Sequence, residues 1–180
     1  MKIFGIGLNK TGTTSLGHYF QNMGYLSYCN WTAKMLRMAL NNDPEMYEII
    51  DKFDVFQDWP WPIIYKRLYN KYSDAKFILT LRNTPEEWFI SFCNHSHKMG
   101  RQITRKIIYG YDYPSEENKK EHIEFYNNHN NDVIEFFKNK KNKLLILKTN
   151  DINKEQKICD FIKIPYNNIK YPHSNKGKYQ

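Results

Sequence analysis

Ten residues near the start of the chain, GLNKTGTTSL at positions 7–16, carry the densest chemistry in the sequence. Gly7 and Gly12 bracket Lys10, and Thr11, Thr13, Thr14 and Ser15 gather hydroxyls around the second glycine. A glycine-bearing turn lets successive backbone N–H groups point at one anion, and a helix opening behind it adds partial positive charge. An ATP-binding loop of the pattern G-x-x-x-x-G-K-[ST] fits Gly7 through Gly12, then the chain departs from it. Thr13 stands where that pattern has lysine, and Thr14 takes the hydroxyl position. The cation sits three residues earlier, at Lys10, so it leans over an anion from within the loop. A lysine in the usual place reaches the outer phosphates beside Mg²⁺.

Three further residues could do chemistry. Arg82 ends the apolar run AKFILTL, and its planar fork suits two oxygens of one oxyanion. Ser91 lies two turns into the helix that follows, where helical spacing turns it back toward that helix's start. Asp58 follows a short strand and precedes Trp59-Pro60, so it belongs at a carboxyl end of the sheet, where ligands collect in such folds. It is a candidate base; the alternative is that it caps the next helix. The six histidines show no ligand spacing, and His95 and His97, two apart on one helix, face different ways. His18 and His122 read as ordinary helix residues. Trp88 reads as core, while Trp59 and Trp61 could stack on a ring.

These residues need elements to hold them. Strands are expected at residues 2–7, 54–57, 75–81 and 143–147, the last two as buried apolar runs. Helices are expected at 13–23, 31–40, 44–53, 63–72, 84–98, 115–139 and 153–162. Asp43-Pro44 and Thr84-Pro85 give two of them a capping side chain and a first-turn proline. In the long helix the inward side is expected to hold Ile123, Tyr126, Val133, Ile134, Phe136 and Phe137. Residues 100–114 fit neither pattern, and the tail from Pro165 is irregular. Strands alternating with helices, without repeat or linker, imply one α/β domain over residues 1–180, with a mostly parallel central sheet.

Composition bounds the partners. With 27 Lys and Arg against 19 Asp and Glu, the net charge is +8, which favours anionic ligands without choosing among them. Cys29, Cys93 and Cys159 are odd in number and lack metal spacing, which argues for free thiols in a reducing compartment. The absence of a long apolar run and of room for a signal peptide gives a cytoplasmic, membrane-free expectation.

K-T-G-T-T-S-L after a first strand resembles the 5′-phosphosulfate loop of sulfotransferases that use 3′-phosphoadenosine 5′-phosphosulfate (PAPS). The resemblance implies a three-layer α/β/α fold of the P-loop NTPase type, a metal-independent reaction, and 3′,5′-ADP (PAP) as product. It implies that Asn9, Lys10, Thr11, Gly12, Thr13, Thr14 and Ser15 hold the donor, with Lys10 on the oxygen bridging phosphate and sulfur. A strand-end Arg and a helix Ser bind the 3′-phosphate in that family, which maps onto Arg82 and Ser91; their spacing here is about one residue longer than in better-known members. The DWP segment, YSDAKFILTLRN, LLILKTND, ICDFIKIP and PHSN follow the order of one branch, so the likeness runs from Lys2 to about Gly177. It is weakest over residues 98–143, where acceptors differ between members. A C-terminal Lys/Arg-Gly segment closes over the nucleotide in several members, which assigns Lys176 to donor binding, with Lys178 as a further candidate. The region of the family that corresponds to Asp58 supplies a catalytic His or an acidic residue, which makes Asp58 the implied base. The acceptor implied is a small molecule or carbohydrate.

Two other classes stay open at this point. A P-loop kinase or phosphotransferase predicts a lysine at position 13, and the chain has Thr13. A non-catalytic module, either a degenerate nucleotide-binding fold or a nucleic-acid binder, fits the short length and the basic-aromatic stretch WPIIYKRLYNKY. No nucleic-acid motif accompanies that stretch, so no nucleic acid is expected.

Overall fold

The computed structural model describes residues 1–28, 32–166 and 168–174. Five strands, β1 (Ile3–Gly5), β2 (Ser27–Tyr28), β3 (Val55–Phe56), β4 (Lys76–Leu81) and β5 (Leu144–Lys148), form one sheet. Their order is β2-β3-β1-β4-β5 and every pairing is parallel. Eight α-helices are present among the described residues: α1 (Thr13–Asn22), α2 (Ala33–Asn41), α3 (Pro44–Asp51), α4 (Trp61–Lys71), α5 (Pro85–Met99), α6 (Ile103–Tyr109), α7 (Lys119–Phe137) and α8 (Lys154–Ile162).

Strand alternation makes the layers. Ile3, Val55 and Ile78 turn to one face, where Leu16, Tyr19 and Phe20 of α1 and Ile158 and Ile162 of α8 cover them. Their chain neighbours Phe4, Phe56 and Phe77 turn to the other face, against α2, α3, α4 and α7. The result is the expected three-layer α/β/α arrangement. A third apolar cluster, Leu8, Trp59, Trp88, Phe89, Phe92, Tyr109 and Tyr126, packs beyond the carboxyl edge of the sheet and forms the floor under the first loop. The helix starts follow their sequence signals. Thr84 accepts from the Glu87 amide at 3.1 Å, and Asp43 accepts from the Glu45 amide at 2.9 Å.

Several expectations need correction. β4 is central and buried on both faces, but among the described residues β5 is the edge strand, and Ile146 on it is 38% exposed. β2 has two residues, too few to show a period. On α7 the buried stripe is His122, Tyr126, Asn130, Val133 and Phe137, while Ile134 is exposed and Phe136 half-buried. A helix stripe follows spacing of three and four residues, and here it takes a histidine and an asparagine inward. The long helix is also split at its start by a 3₁₀ turn at Glu116–Asn118. Residues 100–114 contain α6, bounded by Gly100 and Gly110 at φ 67° and 84°. The expected start of the second helix at Trp31 lies outside the described residues, as does Cys29. No helix among the described residues is long and apolar enough to cross a membrane.

Candidate functional site

The first loop links β1 to α1 and is pinned from beneath. The Leu8 carbonyl accepts from Thr11 Oγ1 at 2.6 Å, the Asn9 carbonyl from Trp88 Nε1 at 2.9 Å, and the Lys10 carbonyl from Arg82 Nε at 2.7 Å. A trans peptide directs its C=O and N–H in opposite senses. Holding these three carbonyls therefore turns the amides of Asn9, Lys10 and Thr11 outward. None of the three donates to a backbone carbonyl among the described residues. Lys10 and Gly12 take positive φ, 67° and 98°, and α1 starts immediately after Gly12 without a side-chain cap. Gly7 is required by contact: a Cβ there would lie 2.2 Å from Thr80 Oγ1. The loop thus presents outward amides and an uncapped helix start, the makings of an anion cradle.

Not all hydroxyls serve that cradle directly. Thr11 is buried and hydrogen-bonds Thr80 Oγ1 at 2.6 Å as well as Leu8, so it holds the loop's shape. Thr13 is buried, and its hydroxyl favours the Asp58 anion. Thr14 is exposed in the first turn of α1. Ser15 Oγ accepts from the Ser174 amide at 3.1 Å, and His18 Nδ1 lies 2.9 Å from Ser174 Oγ, so both tie the tail to α1. Asn9 is fixed through its side chain, with Oδ1 accepting from Tyr109 at 2.8 Å.

Arg82 and Ser91 come together. Arg82 Nη2 donates to Ser91 Oγ at 2.9 Å while Nε holds the loop, and among the described residues Arg82 makes no ion pair with Glu86 or Glu87. Two of the five guanidinium N–H groups are engaged, which leaves three for an oxyanion. The Arg82 amide donates to Tyr126 Oη at 3.0 Å, and the Tyr126 ring stacks on Trp88 at 4.7 Å. One aromatic pair thus positions both Arg82 and Asn9.

Beside these groups opens a cleft of about 1310 Å³. Thr11, Gly12 and Ser15 line one side of it and Arg82 another; the β5 end with residues 149–153 and the tail from Lys170 to Ser174 complete it. Lys176 and Lys178 lie outside the described residues.

Asp58 stands at the end of β3, at φ 68°, and its Oδ1 accepts from the Trp59 amide at 2.9 Å. It does not cap α4, whose cap position is Pro60 without a side-chain bond. Burial pushes the Asp58 carboxyl above the ordinary aspartate value, against the Trp59 amide, the Lys10 charge and the Thr13 hydroxyl, which favour the anion. Burial also lowers Lys10, opposed by Asp58 and reinforced by Arg82, Lys98 and Arg105. His95 is held down at about 4 by burial and then by Lys10, Arg105 and Lys98, so it stays neutral at physiological pH. Sequence reasoning missed this group. The signal was present on α5, where Ser91, His95 and Lys98 follow at spacings of four and three and share one helix face. His97 does face elsewhere, toward Tyr113. Trp88, Trp59 and Trp61 are buried, and Trp59 packs edge-on to Tyr109 beside Asp58. Among the described residues no group of three or more His, Cys, Asp or Glu could hold a metal ion.

An anion cradle, an arginine-serine pair beside it, and a lysine near a half-buried carboxylate make an arrangement suited to moving an anionic group between two oxygens. No curated protein matches the chain. The family described as Sulfotransferase domain matches residues 2–179, a span that takes in the loop, Asp58, Arg82 and Ser91. With that match running over nearly its whole length, the chain belongs to the sulfotransferase family.

Proposed function

We propose that this sulfotransferase takes its sulfuryl group from PAPS and passes it in line to a hydroxyl or amine of a small molecule or carbohydrate. The observation that carries the reading is the meeting of Arg82 and Ser91 with the first loop, which joins an oxyanion fork to an amide cradle through the 2.7 Å bond to Lys10. A donor with phosphates at both the 3′ and 5′ positions fits two anion sites so linked; ATP, with its phosphates in one chain, does not call for the second.

The acceptor atom forms a bond to sulfur as the bond from sulfur to the 5′-phosphate oxygen breaks. The electron pair leaves with the phosphate, giving PAP. Lys10 and the outward amides counter the charge that grows on that oxygen. Asp58 takes the acceptor's proton. Its raised pKa makes it a stronger base than an exposed aspartate, while the Trp59 amide, Lys10 and Thr13 favour its anion. Thr13 is thereby assigned to the base rather than to the donor.

Incubation with PAPS labelled in its sulfuryl group, across a panel of phenols, amines and sugars, tests the reading. Label transferred to an acceptor, with PAP released in equal amount, is the expected result. Label transferred from no donor preparation, with ATP consumed instead, would replace it by a kinase reading.

A further inference from the structure

None of Asp58, His95, Lys98 or Arg105 lines the donor cleft. Asp58, Lys98 and Arg105 all act on the Lys10 charge, Lys10, Arg105 and Lys98 act on His95, and Tyr109, edge-on to Trp59, feels both Asp58 and Arg105. The charges there do not balance. Around Lys10, the one carboxylate that acts on it, Asp58, is set against Arg82, Lys98 and Arg105.

Arg105 is the sharpest imbalance. It is 4% exposed, with Nη1 donating to the Gly100 carbonyl at 2.6 Å and its guanidinium over the Phe92 ring at 5.6 Å. Its Nη2 is buried and has no hydrogen-bond partner. No carboxylate among the described residues pairs with it. A buried guanidinium without a counterion costs stability. Its surroundings fix it against the loop. Phe92 packs on Tyr109 at 5.0 Å, and Tyr109 holds Asn9 of the loop. Lys98 stands on the same face of α5 as Ser91 and is exposed, so it can meet a ligand from solvent. Helix α6, which carries Arg105, is flanked by Gly100 and Gly110 at positive φ.

We propose that the acceptor carries an anionic group, a carboxylate, sulfate or phosphate, held by Arg105 and Lys98 across the loop from the donor. The inference rests on the reading of the loop and Arg82 as the donor site. An anion there supplies the missing counterion and places a neighbouring hydroxyl or amine of the acceptor beside Asp58. Lys10 stays with the leaving phosphate.

The test uses the full chain saturated with PAP and inorganic sulfate as the probe, against chloride at matched ionic strength, read as melting temperature. The wild type is expected to gain stability with millimolar sulfate beyond the chloride control. Lys98→Ala, an exposed position, should weaken the apparent sulfate affinity about tenfold, as for losing one charged contact. Arg105→Met should weaken it at least as much while melting no lower than wild type, because a packed apolar side chain replaces an unpaired buried charge. A sulfate gain of equal size in wild type and both variants, from sulfate resting on the loop alone, overturns the proposal; so does no gain in the wild type. An Arg105→Met chain that does not fold contradicts the unpaired-charge argument and leaves Lys98→Ala to decide the anion site. Failure of PAP itself to stabilise the chain would instead strike at the donor reading, so the two failures are distinguishable.

Discussion

Arg82→Lys is the most informative single change. Lysine keeps the positive charge but loses the fork. In the wild type, Nε grips the Lys10 carbonyl at 2.7 Å and Nη2 grips Ser91 at 2.9 Å, so the remaining three N–H groups are aimed before any ligand arrives. A lysine ammonium can satisfy one of these demands at a time. Losing one hydrogen bond to a charged group costs about 1.5–3 kcal/mol, or roughly 10- to 150-fold in affinity. That loss should fall on PAP, which has a 3′-phosphate. For 5′-AMP, which lacks it, only the loosened Lys10 carbonyl matters, and the change should stay under about threefold, less than 1 kcal/mol. Isothermal titration of both nucleotides against both proteins gives the ratio. Equal losses for PAP and 5′-AMP would show that Arg82 supports the loop alone and does not read a 3′-phosphate.

Three other changes follow from the same geometry. Lys10→Ala keeps a Cβ on the positive-φ backbone, so the loop should survive; turnover should drop about 10²- to 10³-fold, as for other lost charge stabilisers, with PAP affinity changed far less. An unchanged kcat would remove Lys10 from the chemistry. Asp58→Asn should abolish most turnover and raise the melting temperature near neutral pH. Because the folded state lifts the Asp58 pKa, its favourable contribution is present below the unfolded value, about 3.9, and is lost as pH rises through the folded one. The stability gain of Asp58→Asn should therefore vanish in acid, and wild-type activity should fall as pH drops through the raised pKa; a melting difference that grows in acid would contradict this. Tyr126→Phe keeps the stack on Trp88 but strands the Arg82 amide, at a cost of about 1–3 kcal/mol in unfolding. Titration should show weaker PAP and little change for 5′-AMP; denaturant midpoints equal to wild type would mean that the bond is not made.

Local pattern carried the first half of the site into view. A strand, two glycines and a run of hydroxyls predict a cradle, and the apolar run ending at Arg82 predicts a strand end at the sheet's ligand edge. The Arg82–Ser91 contact followed from helix spacing despite the extra residue, because the Thr84 cap starts α5 cleanly. Asp58 reached Lys10 by topology, since β3 pairs with β1 and ends beside the loop. What sequence did not disclose depends on tertiary packing. The Trp88 and Tyr109 side chains look like core, and are, yet each spends its one polar atom on Asn9. Arg105 sits on a seven-residue helix with no periodicity to announce it, and only the fold brings it against α5. The hydroxyls of Thr11 and Thr13 resemble ligand donors in sequence, but the fold points them at Leu8, Thr80 and Asp58.

The most direct test of the donor site is the melting temperature of the full chain with PAP, set beside ATP with and without Mg²⁺. At about 100 times its dissociation constant a ligand adds roughly 2.7 kcal/mol, which for a chain of 180 residues is several degrees. The proposed reading, in which the loop and the Arg82–Ser91 pair take separate 5′ and 3′ anions, predicts that shift with PAP, the same with and without Mg²⁺. A shift with Mg-ATP and none with PAP would contradict it.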